Sequence, residues 1–535
     1  MDKIQLWNKL SQYSRTTETA MDSLHRKRTG SYYTSLDLTD VMMNELVTNL
    51  LTNTKPIESY TFFEPCVGSG NFIFSYLKCI SNLNLSQDQL HCLLNNIYVA
   101  DINKNALETY KASLNEFTET FWNIHLDDEY FSSHIGSGLL VDVSAPELSY
   151  ISLEEIFGTN IAKQGFDIVV TNPPYKNLKA ERSQYGSEEE YLSDQGKYSS
   201  ISKIVSQKFK YATDGILNLY KLFVEEIIDR YTNSKSYFSL LIPSSIMSDK
   251  TCTSLRTHIL KDTNLLSAKV IKEGSGFIDA QQALVAILLT KKGTTSTVKV
   301  TKDFCNKPND TAAVNITDIL NDLSGNAIIA LSEAEYQKYK ILRTHPTVSS
   351  LSFITNLRGE LDLTAGKQYI TTEETPYPLL RGRNISYYNL VDSEENDYVS
   401  ESFVATTKKS QYIAQDRIIC QQIANMHKER RVTFAYAKPN FVLGNSCNFI
   451  SVCDNEYGID IYTLLGLFNT EIINWFFKLT SSNNHINNYE IDCFPVPVCS
   501  KELSQISTLA KAYLEKHDDK LLIEIENLAK RAYGI

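Results

Sequence analysis

The amino-acid sequence predicts an α/β fold, with a Rossmann-like, mainly parallel sheet first and a mixed α+β domain after it. Between residues 60 and 300, short apolar runs alternate with longer stretches of helical periodicity, as βα units do. After about residue 335 this alternation is lost, and irregular segments precede helices expected near 461–480 and 503–532. The chain has 535 residues, whereas single cores stop growing near about 250–300 residues. We therefore expect two domains, 1–340 and 341–535.

Five apolar runs are the predicted strands, and each ends near a polar, glycine or proline residue. They lie at 61–64, 97–100, 138–141, 166–170 and 237–242. A helix is predicted between the last two from apolar side chains at helical spacing, namely Tyr220, Phe223, Val224, Ile227 and Ile228. Residues 176–215 break the alternation with polar residues and three scattered tyrosines, and we expect a long loop there.

The composition predicts a folded cytoplasmic protein that does not contact membranes. The first ten residues lack a signal-peptide core, and no stretch approaches the roughly 18 apolar residues that a membrane span needs. The ten cysteines include no Cys-x-x-Cys pair, so we expect no metal site. Reduced thiols are favoured over a metal site built from Cys447, Cys453, Cys493 and Cys499.

A glycine turn follows the first predicted strand and precedes a helix. Gly68 and Gly70 let the backbone approach a ligand closely, although a purely structural turn explains such glycines as well. Asp101 ends the next strand, where a carboxylate can accept both hydroxyl hydrogens of a ribose. Asp142 ends the following strand and can accept a hydrogen bond from an adenine amino group, although such an aspartate is more often a cap or turn residue.

The fourth strand ends abruptly in Asn172, Pro173, Pro174 and Tyr175. Exocyclic base nitrogens are poor nucleophiles, because their lone pair is delocalised into the ring. The Asn172 side-chain oxygen and the Pro173 carbonyl can accept both amino hydrogens and aim the nitrogen at a methyl donor. The prolines fix φ and remove backbone donors, and Tyr175 can stack on a base flipped out of the duplex. A Pro-Pro loop is the alternative, but the order of the motifs favours one cleft.

These motifs, in this order, resemble the gamma-class DNA adenine-N6 methyltransferases with TaqI-like domain order. The resemblance covers most of the chain and implies a class I methyltransferase sheet with S-adenosylmethionine as cofactor. Residues 28–34, Arg-Thr-Gly-Ser-Tyr-Tyr-Thr, look like that family's N-terminal motif beside the methionine part of the cofactor. Ser35 replaces the proline that usually follows.

The resemblance also implies the residues of the site. Cofactor contacts fall on residues at and beside the strand ends: Tyr33, Thr34, Glu64, Pro65, Gly68, Gly70, Phe72, Asp101, Ile102, Asp142, Val143 and Asn172. The implied catalytic residues are Asn172, Pro173, Pro174, Tyr175 and Phe277. Phe277 would stack on the other face of the flipped base, with a core aromatic as the alternative.

The second domain is predicted to recognise DNA. Residues 379–383, residues 464–469, and Tyr489 with residues 494–497 resemble recurring pieces of the TaqI-like recognition domain. The net charge of -11 argues against DNA binding, but residues 402–440 hold seven basic and two acidic side chains. The candidate DNA contacts are Arg381, Arg383, Lys408, Lys409, Lys428, Arg430 and Arg431. An ordinary solvated face is the alternative.

The sequence therefore predicts site-specific methylation of adenine N6 in double-stranded DNA by a monomer without a catalytic metal. Methylation of cytosine N4, where Ser usually replaces Asn172, or of a protein glutamine stays open, as does a non-catalytic DNA-binding regulator. The long C-terminal domain disfavours a protein substrate.

Only 29 residues precede Gly30, so we expect no fused nuclease. A stand-alone enzyme and an enzyme with a separate restriction endonuclease fit the sequence equally. We expect the loop at 176–215 to order on DNA, with a disordered insertion as the alternative.

Overall fold

The computed structural model describes residues 2–20, 34–138, 140–141, 150–182, 185–275, 282–320, 325–391, 397–425, 428–481 and 484–535. The chain divides into two compact units, 1–333 and 334–535.

Strands in the described part of the first unit form one large sheet and one small pair. They are β1 (Phe62–Glu64), β2 (Ile97–Asp101), β3 (Ile135–Ser137), β4 (Leu140–Val141), β5 (Tyr150–Ile151), β6 (Phe166–Thr171), β7 (Thr232–Pro243), β8 (Asn264–Ile271), β9 (Leu284–Thr290), β10 (Thr297–Thr301) and β11 (Thr311–Asn315). The sheet order is β11-β10-β8-β9-β7-β6-β1-β2-β3, and β4 pairs with β5.

The centre of the sheet is parallel. The neighbours β3, β2, β1, β6 and β7 pair in parallel, whereas β9 runs antiparallel between β7 and β8. All seven residues of β9 are buried, as a strand covered on both faces requires, and such strands read as continuous apolar runs. The predicted Rossmann-like sheet is confirmed.

Helices cover this sheet. They are α1 (Lys3–Ala20), α2 (Leu36–Leu50), α3 (Asn71–Ser81), α4 (Gln87–Leu94), α5 (Lys104–Trp122), α6 (Asp128–His134), α7 (Leu153–Phe157), α8 (Thr159–Gln164), α9 (Glu188–Lys208), α10 (Leu219–Glu226), α11 (Ser245–Ser248), α12 (Thr253–Asp262) and α13 (Ile316–Leu320). A single π-turn, Ile227–Tyr231, continues α10. The helix predicted from the spacing of Tyr220 to Ile228 is thus confirmed.

The third predicted strand is displaced. Residues 138–141 were expected to extend the sheet, but β3 takes that place and pairs with β2. Gly138 has φ +99°, a conformation outside the extended region, so the strand breaks there, and the following β4 pairs antiparallel with β5. The short Ile-Gly-Ser sequence of β3 has no apolar run by which it could be recognised.

The loop predicted at 176–215 is wrong for residues 188–208, which form α9. Ser187 caps this helix by accepting the N–H of Glu190. Tyr198, Ile201 and Val205 are buried at helical spacing on one face. The many polar residues around these three obscured the helical pattern in the sequence.

The carboxyl-terminal side of α9 is anchored by a buried carboxylate. Glu225 of α10 accepts the backbone N–H groups of Lys210, Tyr211 and Ala212 at 2.6–2.8 Å. Glu225 is 1% exposed, and three donors satisfy a buried carboxylate that would otherwise be costly. This contact fixes the chain that connects α9 to the sheet-covering helix α10.

The second unit has a mixed α+β architecture, as predicted. Its strands are β12 (Ile354–Arg358), β13 (Ile370–Thr371), β14 (Leu379–Leu380), β15 (Tyr398–Val399), β16 (Arg417–Gln421), β17 (Phe434–Ala437), β18 (Val442–Leu443) and β19 (Cys447–Val452). Its helices are α14 (Glu333–Arg343), α15 (Glu401–Thr406), α16 (Ser410–Ile413), α17 (Ile461–Phe468), α18 (Glu471–Thr480), α19 (Asn488–Ile491), α20 (Leu503–Lys516) and α21 (Asp519–Tyr533). An antiparallel sheet joins β12, β19, β16 and β17 in that order.

All ten cysteines are free thiols. Within the described ranges, no cluster of three His, Cys, Asp or Glu side chains is placed to hold a metal ion. None of the helices described here combines the length and apolar character needed to cross a bilayer.

Candidate functional site

The predicted cofactor and catalytic motifs meet at one edge of the first unit's sheet. Phe62 of β1 pairs in parallel register with Ile97 of β2 on one side and with Ile168 of β6 on the other. The carboxyl ends of these three neighbouring strands therefore lie together. Ligands of open α/β sheets bind outside such carboxyl ends.

The glycine turn is tied to the end of β2 by Asp101. One carboxylate oxygen of Asp101 accepts the N–H of Gly68, and the other accepts the N–H of Asn103, each at 2.8 Å. Burial raises the pKa of Asp101, and the N–H groups of Asn103 and Gly68 oppose that rise. Each oxygen keeps a second lone pair, so this carboxylate can still accept ribose hydroxyl hydrogens.

Gly70 cannot be replaced without a clash. Its φ of +83° lies in the left-handed region. A Cβ atom there would lie 2.7 Å from Cδ2 of Tyr110 and 2.9 Å from Cε2 of Phe74. The turn therefore requires glycine at residue 70, immediately before α3 begins at Asn71.

Glu64 ends β1 as a buried carboxyl group. Its side chain is 1% exposed, and Oε2 has no hydrogen-bond partner among the residues that the structure describes. Burial, and then the nearby charge of Asp101, raise the pKa of Glu64 well above its usual range. Buried polar atoms without partners are rare and costly, so Oε2 is placed to accept a donor from a ligand such as an ammonium group.

Thr34 connects the N-terminal segment to the carboxyl end of β6. Its backbone carbonyl accepts the side-chain amide of Asn71 at 2.6 Å, and its hydroxyl accepts the side-chain amide of Asn172 at 2.9 Å. The amide nitrogen of Asn172 thus faces Thr34, and the amide oxygen is the acceptor end of this side chain.

That oxygen already has a donor. The Tyr175 hydroxyl donates to Oδ1 of Asn172, and it also lies 3.0 Å from the carbonyl oxygen of Leu241. The Tyr175 ring meets Tyr220 edge to face, with ring centroids 6.4 Å apart. Tyr175 was predicted only as a stacking surface, so its hydrogen bond to Asn172 is a contact that the sequence did not indicate.

The structure describes only some of the remaining predicted cofactor and catalytic residues. Tyr33, Asp142, Val143 and Phe277 lie outside the described residues, and their roles stay predictions. The side chain of Phe72 is 2% exposed within the hydrophobic core, so only its backbone is available to a cofactor. Pro65 and Pro173 are buried, Pro174 is half-buried, and Ile102 is 36% exposed beside Asp101.

The predicted DNA contacts in the second unit separate into two groups. Arg383, Lys408 and Lys428 are exposed, and no ion pair joins them to any residue described. Arg381 pairs with Asp397. Lys409 donates to the carbonyl oxygens of Arg358 and Gly359 at 2.6 and 3.2 Å, which engages its charge within the fold.

Arg431 has structural contacts that correct its assignment as a phosphate ligand, whereas the assignment of Arg430 stays a prediction. Arg431 is 2% exposed, donates to the carbonyl of Ser481 at 3.1 Å and lies over the Phe477 ring. A side chain buried to that degree cannot reach a DNA phosphate. Arg430 is half-buried over the Tyr387 ring and pairs with Glu471.

Arg417, which contributed to the basic count of residues 402–440, is fully buried. Its guanidinium pairs with Glu360, and neither side chain is exposed. The local excess of positive charge at the surface is therefore smaller than the sequence indicated. Arg358, the last residue of β12, is exposed and lies outside the basic segment 402–440.

Two family models match the chain. Residues 95–276 match the Eco57I restriction-modification methylase model, and residues 377–496 match the TaqI-like C-terminal specificity domain model. The methylase match precedes the specificity match, which confirms the predicted TaqI-like domain order. No curated protein matches the chain.

Several solved structures resemble the chain at low sequence identity. The type IIL enzyme MmeI in complex with DNA shares 13% identity at a TM-score of 0.47, covering 98% of this chain and 78% of MmeI. The DrdV–DNA complex shares 10% identity at a TM-score of 0.50, covering 95% and 59%. The type IIG restriction endonuclease BpuSI shares 10% identity at 0.42, covering 94% and 65%. The chain thus spans less than two thirds of DrdV and BpuSI, and the likeness to DrdV concerns the fold alone.

Proposed function

We propose that this DNA methyltransferase, which joins a restriction-modification methylase domain to a TaqI-like specificity domain, methylates N6 of adenine in double-stranded DNA. The observation that carries the proposal is Asn172, whose side-chain amide is oriented by Thr34 at the carboxyl end of β6. The sequence Asn-Pro-Pro-Tyr at that position suits an exocyclic amino group, and asparagine rather than serine at residue 172 favours adenine over cytosine.

The residues at the ends of β1 and β2 fit S-adenosylmethionine. Oε2 of Glu64, which has no hydrogen-bond partner in the described part of the chain, suits the ammonium group of the methionine part, and Asp101 suits the ribose hydroxyls. Glycine at residue 70 lets the turn after β1 adopt a left-handed φ of +83° and pack against Tyr110 and Phe74, which shapes the backbone between β1 and α3 beside these carboxylates. When bound, the cofactor supplies a methyl group on a sulfonium sulfur, which is a good leaving group.

Asn172 and Pro173 would hold the reacting amino group. The Asn172 oxygen and the Pro173 carbonyl accept the two hydrogens on N6, which favours a pyramidal nitrogen with a directed lone pair. The bound cofactor would supply the methyl group that replaces one hydrogen of N6, and Asn172 and Pro173 would hold that hydrogen until it leaves to water as a proton. The base must first leave the duplex, at a cost of a few kcal/mol, and stacking on Tyr175 returns roughly 1–3 kcal/mol.

On binding, the base would compete with Tyr175 for Asn172. In the structure the Tyr175 hydroxyl donates to the Asn172 oxygen, and the Leu241 carbonyl offers that hydroxyl a second acceptor. Tyr175 can therefore give up Asn172 without losing its own hydrogen bond. The exchange costs little because an acceptor is already in place.

Mass spectrometry of nucleosides tests the proposal. Duplex DNA treated with the protein and S-adenosylmethionine should contain N6-methyladenine, and Asn172→Ala should abolish transfer while cofactor binding persists. Asn309→Ala, at an exposed position between β10 and β11, is the matched control and should stay active. N4-methylcytosine, or no modified base, would overturn the assignment to adenine.

A further inference from the structure

The second unit presents a compact polar edge where three strands meet. Arg358, the last residue of β12, pairs with Asn448 near the start of β19. Gln421, the last residue of β16, pairs with Cys447 at the start of β19. The ends of β12 and β16 and the beginning of β19 therefore lie side by side, and we call Arg358, Gln422, Ile423 and Asn445 the reading edge.

Arg358 is exposed but held in a defined orientation. Its Nε donates to the carbonyl oxygen of Asn445 at 2.7 Å, and its Nη2 donates to Oε1 of Gln422 at 3.0 Å. Both bonds use the edge of the planar guanidinium that carries Nε and one hydrogen of Nη2. The other edge, which carries Nη1 and the second hydrogen of Nη2, has no hydrogen-bond partner among the described residues.

The residues that hold Arg358 are themselves fixed. The backbone N–H of Gln422 donates to Ser446 at 2.9 Å, and its carbonyl accepts from Ile486 at 2.7 Å. The ammonium group of Lys409 donates to the Arg358 carbonyl at 2.6 Å. An exposed arginine usually pays rotamer entropy to bind a partner, and these contacts have already restricted Arg358.

Two parallel N–H donors at a fixed spacing match O6 and N7 of guanine in the major groove, the commonest specific contact of arginine with DNA. A phosphate accepts the same donors, but the neighbours favour a base. Ile423, beside Gln422, is 60% exposed, and an apolar side chain gains nothing from phosphates whereas it can contact a thymine methyl. The carboxylate of Asp362 accepts the side-chain amide of Asn445 at 2.8 Å, which fixes the position of Asn445 in the edge.

We propose that Arg358 is a specificity-determining residue that recognises one guanine of the methylation site, and that Ile423 contacts the neighbouring base pair. The proposal rests on the proposed function, because it requires the second unit to bind duplex DNA. It assigns sequence reading to the edge formed by β12, β16 and β19, and leaves phosphate contacts to the exposed cations Arg383, Lys408 and Lys428.

Selection of duplexes from a randomised pool tests the assignment by binding alone. Wild type should enrich one motif with an invariant guanine, and Arg358→Gln should lose roughly 10- to 100-fold of the preference at that single position, the loss expected for one bidentate base contact. Ile423→Ala should weaken the preference at an adjacent position. The controls Arg531→Gln and Ile523→Ala change an exposed arginine and an exposed isoleucine on α21 and should leave the motif unchanged.

Methylation-aware sequencing of the enriched duplexes separates the two proposals. A wild-type protein that enriches a motif through Arg358 without methylating it would refute the proposed function and leave the recognition assignment standing. An unchanged motif in Arg358→Gln, or no enrichment by wild type, overturns the assignment. If Arg358→Gln fails to fold, Gln422→Leu replaces it: loss of one of the two orienting bonds should reduce the same preference several-fold, and an unchanged preference contradicts the proposal.

Discussion

The side-chain nitrogen of Asn172 lies 2.9 Å from the hydroxyl oxygen of Thr34. This hydrogen bond joins two segments that are 138 residues apart in sequence and occupies the nitrogen end of the asparagine amide, so that its oxygen end is directed away from Thr34. An amide turned the other way would present donors to an amino group that needs acceptors.

Replacing Thr34 with valine should slow methyl transfer, because the Asn172 amide loses the acceptor that orients it. A neutral hydrogen bond contributes about 0.5–1.5 kcal/mol, so kcat should fall roughly 2- to 10-fold. Single-turnover transfer of a labelled methyl group measures the change. Thr34→Ser keeps the hydroxyl and should restore the rate; equal rates for Thr34→Val and wild type would contradict a positioning role.

Tyr175→Phe should retain methyl transfer, because the ring stays and the competing donor on Asn172 disappears. Tyr175→Ala should weaken binding of the flipped base by roughly 1–3 kcal/mol, the value of one base–aromatic stack. Fluorescence of a 2-aminopurine placed at the target position reports extrusion of the base. Loss of activity in Tyr175→Phe as large as in Tyr175→Ala would show that the hydroxyl takes part directly.

Removal of the exposed cations should reduce the salt dependence of DNA binding. In Arg383→Ala/Lys408→Ala/Lys428→Ala, each lost phosphate contact should lower the slope of log K against log salt by about 0.9. Fluorescence anisotropy at several salt concentrations measures the slope. Lys501→Ala/Lys516→Ala/Lys520→Ala makes the same change of charge at exposed positions of the same unit. Equal slopes for the two triple variants would refute the assignment of phosphate contacts to Arg383, Lys408 and Lys428.

The first unit should lose stability as pH rises through the pKa of His258. Burial lowers the pKa of His258, but hydrogen bonds to Asp229 and Asp262, at 2.9 and 2.6 Å, outweigh burial and raise it above its ordinary value of about 6.5. Its ring stacks on Tyr211, and Lys291 and Arg230 also act on Asp229.

Since protonated His258 is favoured in the folded state, its stabilisation is complete below about pH 6.5 and is lost as pH rises through the raised pKa. Denaturant midpoints measured from pH 6 to 9 should therefore decline, and His258→Gln should flatten the decline. His125, which pairs with Glu119 but is mostly exposed, provides the control His125→Gln. A pH dependence unchanged by His258→Gln would exclude this ion pair as its source.

Breaking the Arg417–Glu360 pair should destabilise the second unit. Burial raises the pKa of Glu360 and lowers that of Arg417, and each group opposes the shift of the other. Arg417→Met leaves a buried carboxylate without its cation and should cost about 3–5 kcal/mol of unfolding free energy. Adding Glu360→Gln should recover part of the loss. If the double variant is as unstable as the single variant, the loss of unfolding free energy comes from packing and not from the unpaired carboxylate.

The sequence predicts the sheet well where strands are buried on both faces, because such strands are continuous apolar runs. β6 and the core of β7 were located within two residues at their carboxyl ends. The three-residue β3 and the polar helix α9 were missed, since neither has a local pattern strong enough to identify it. Their conformations depend on tertiary contacts, with β2 for the former and through Tyr198, Ile201 and Val205 for the latter.

For the candidate site as well, the sequence predicts the residues that stand in local motifs and misses the contacts between distant segments. Glu64, Gly68, Gly70, Asp101 and Asn172 stand in local motifs, and their convergence follows from parallel strand order. Contacts between distant segments, such as Thr34 with Asn172, depend on packing and carry no sequence signal. The basic residues of 402–440 overstated the number of cations available for DNA contacts. A count of charges does not distinguish a buried arginine such as Arg431 from an exposed lysine such as Lys408.

The nine-stranded sheet ends in short strands on both sides, three residues in β3 and five in β11. Over the residues described, little unpaired backbone is therefore offered at either border. A long open border would let a second chain add its own strand, which is a common route to edge-to-edge aggregation. We infer that the large apolar sheet which positions the strand ends is shielded from such pairing by the brevity of its outermost strands.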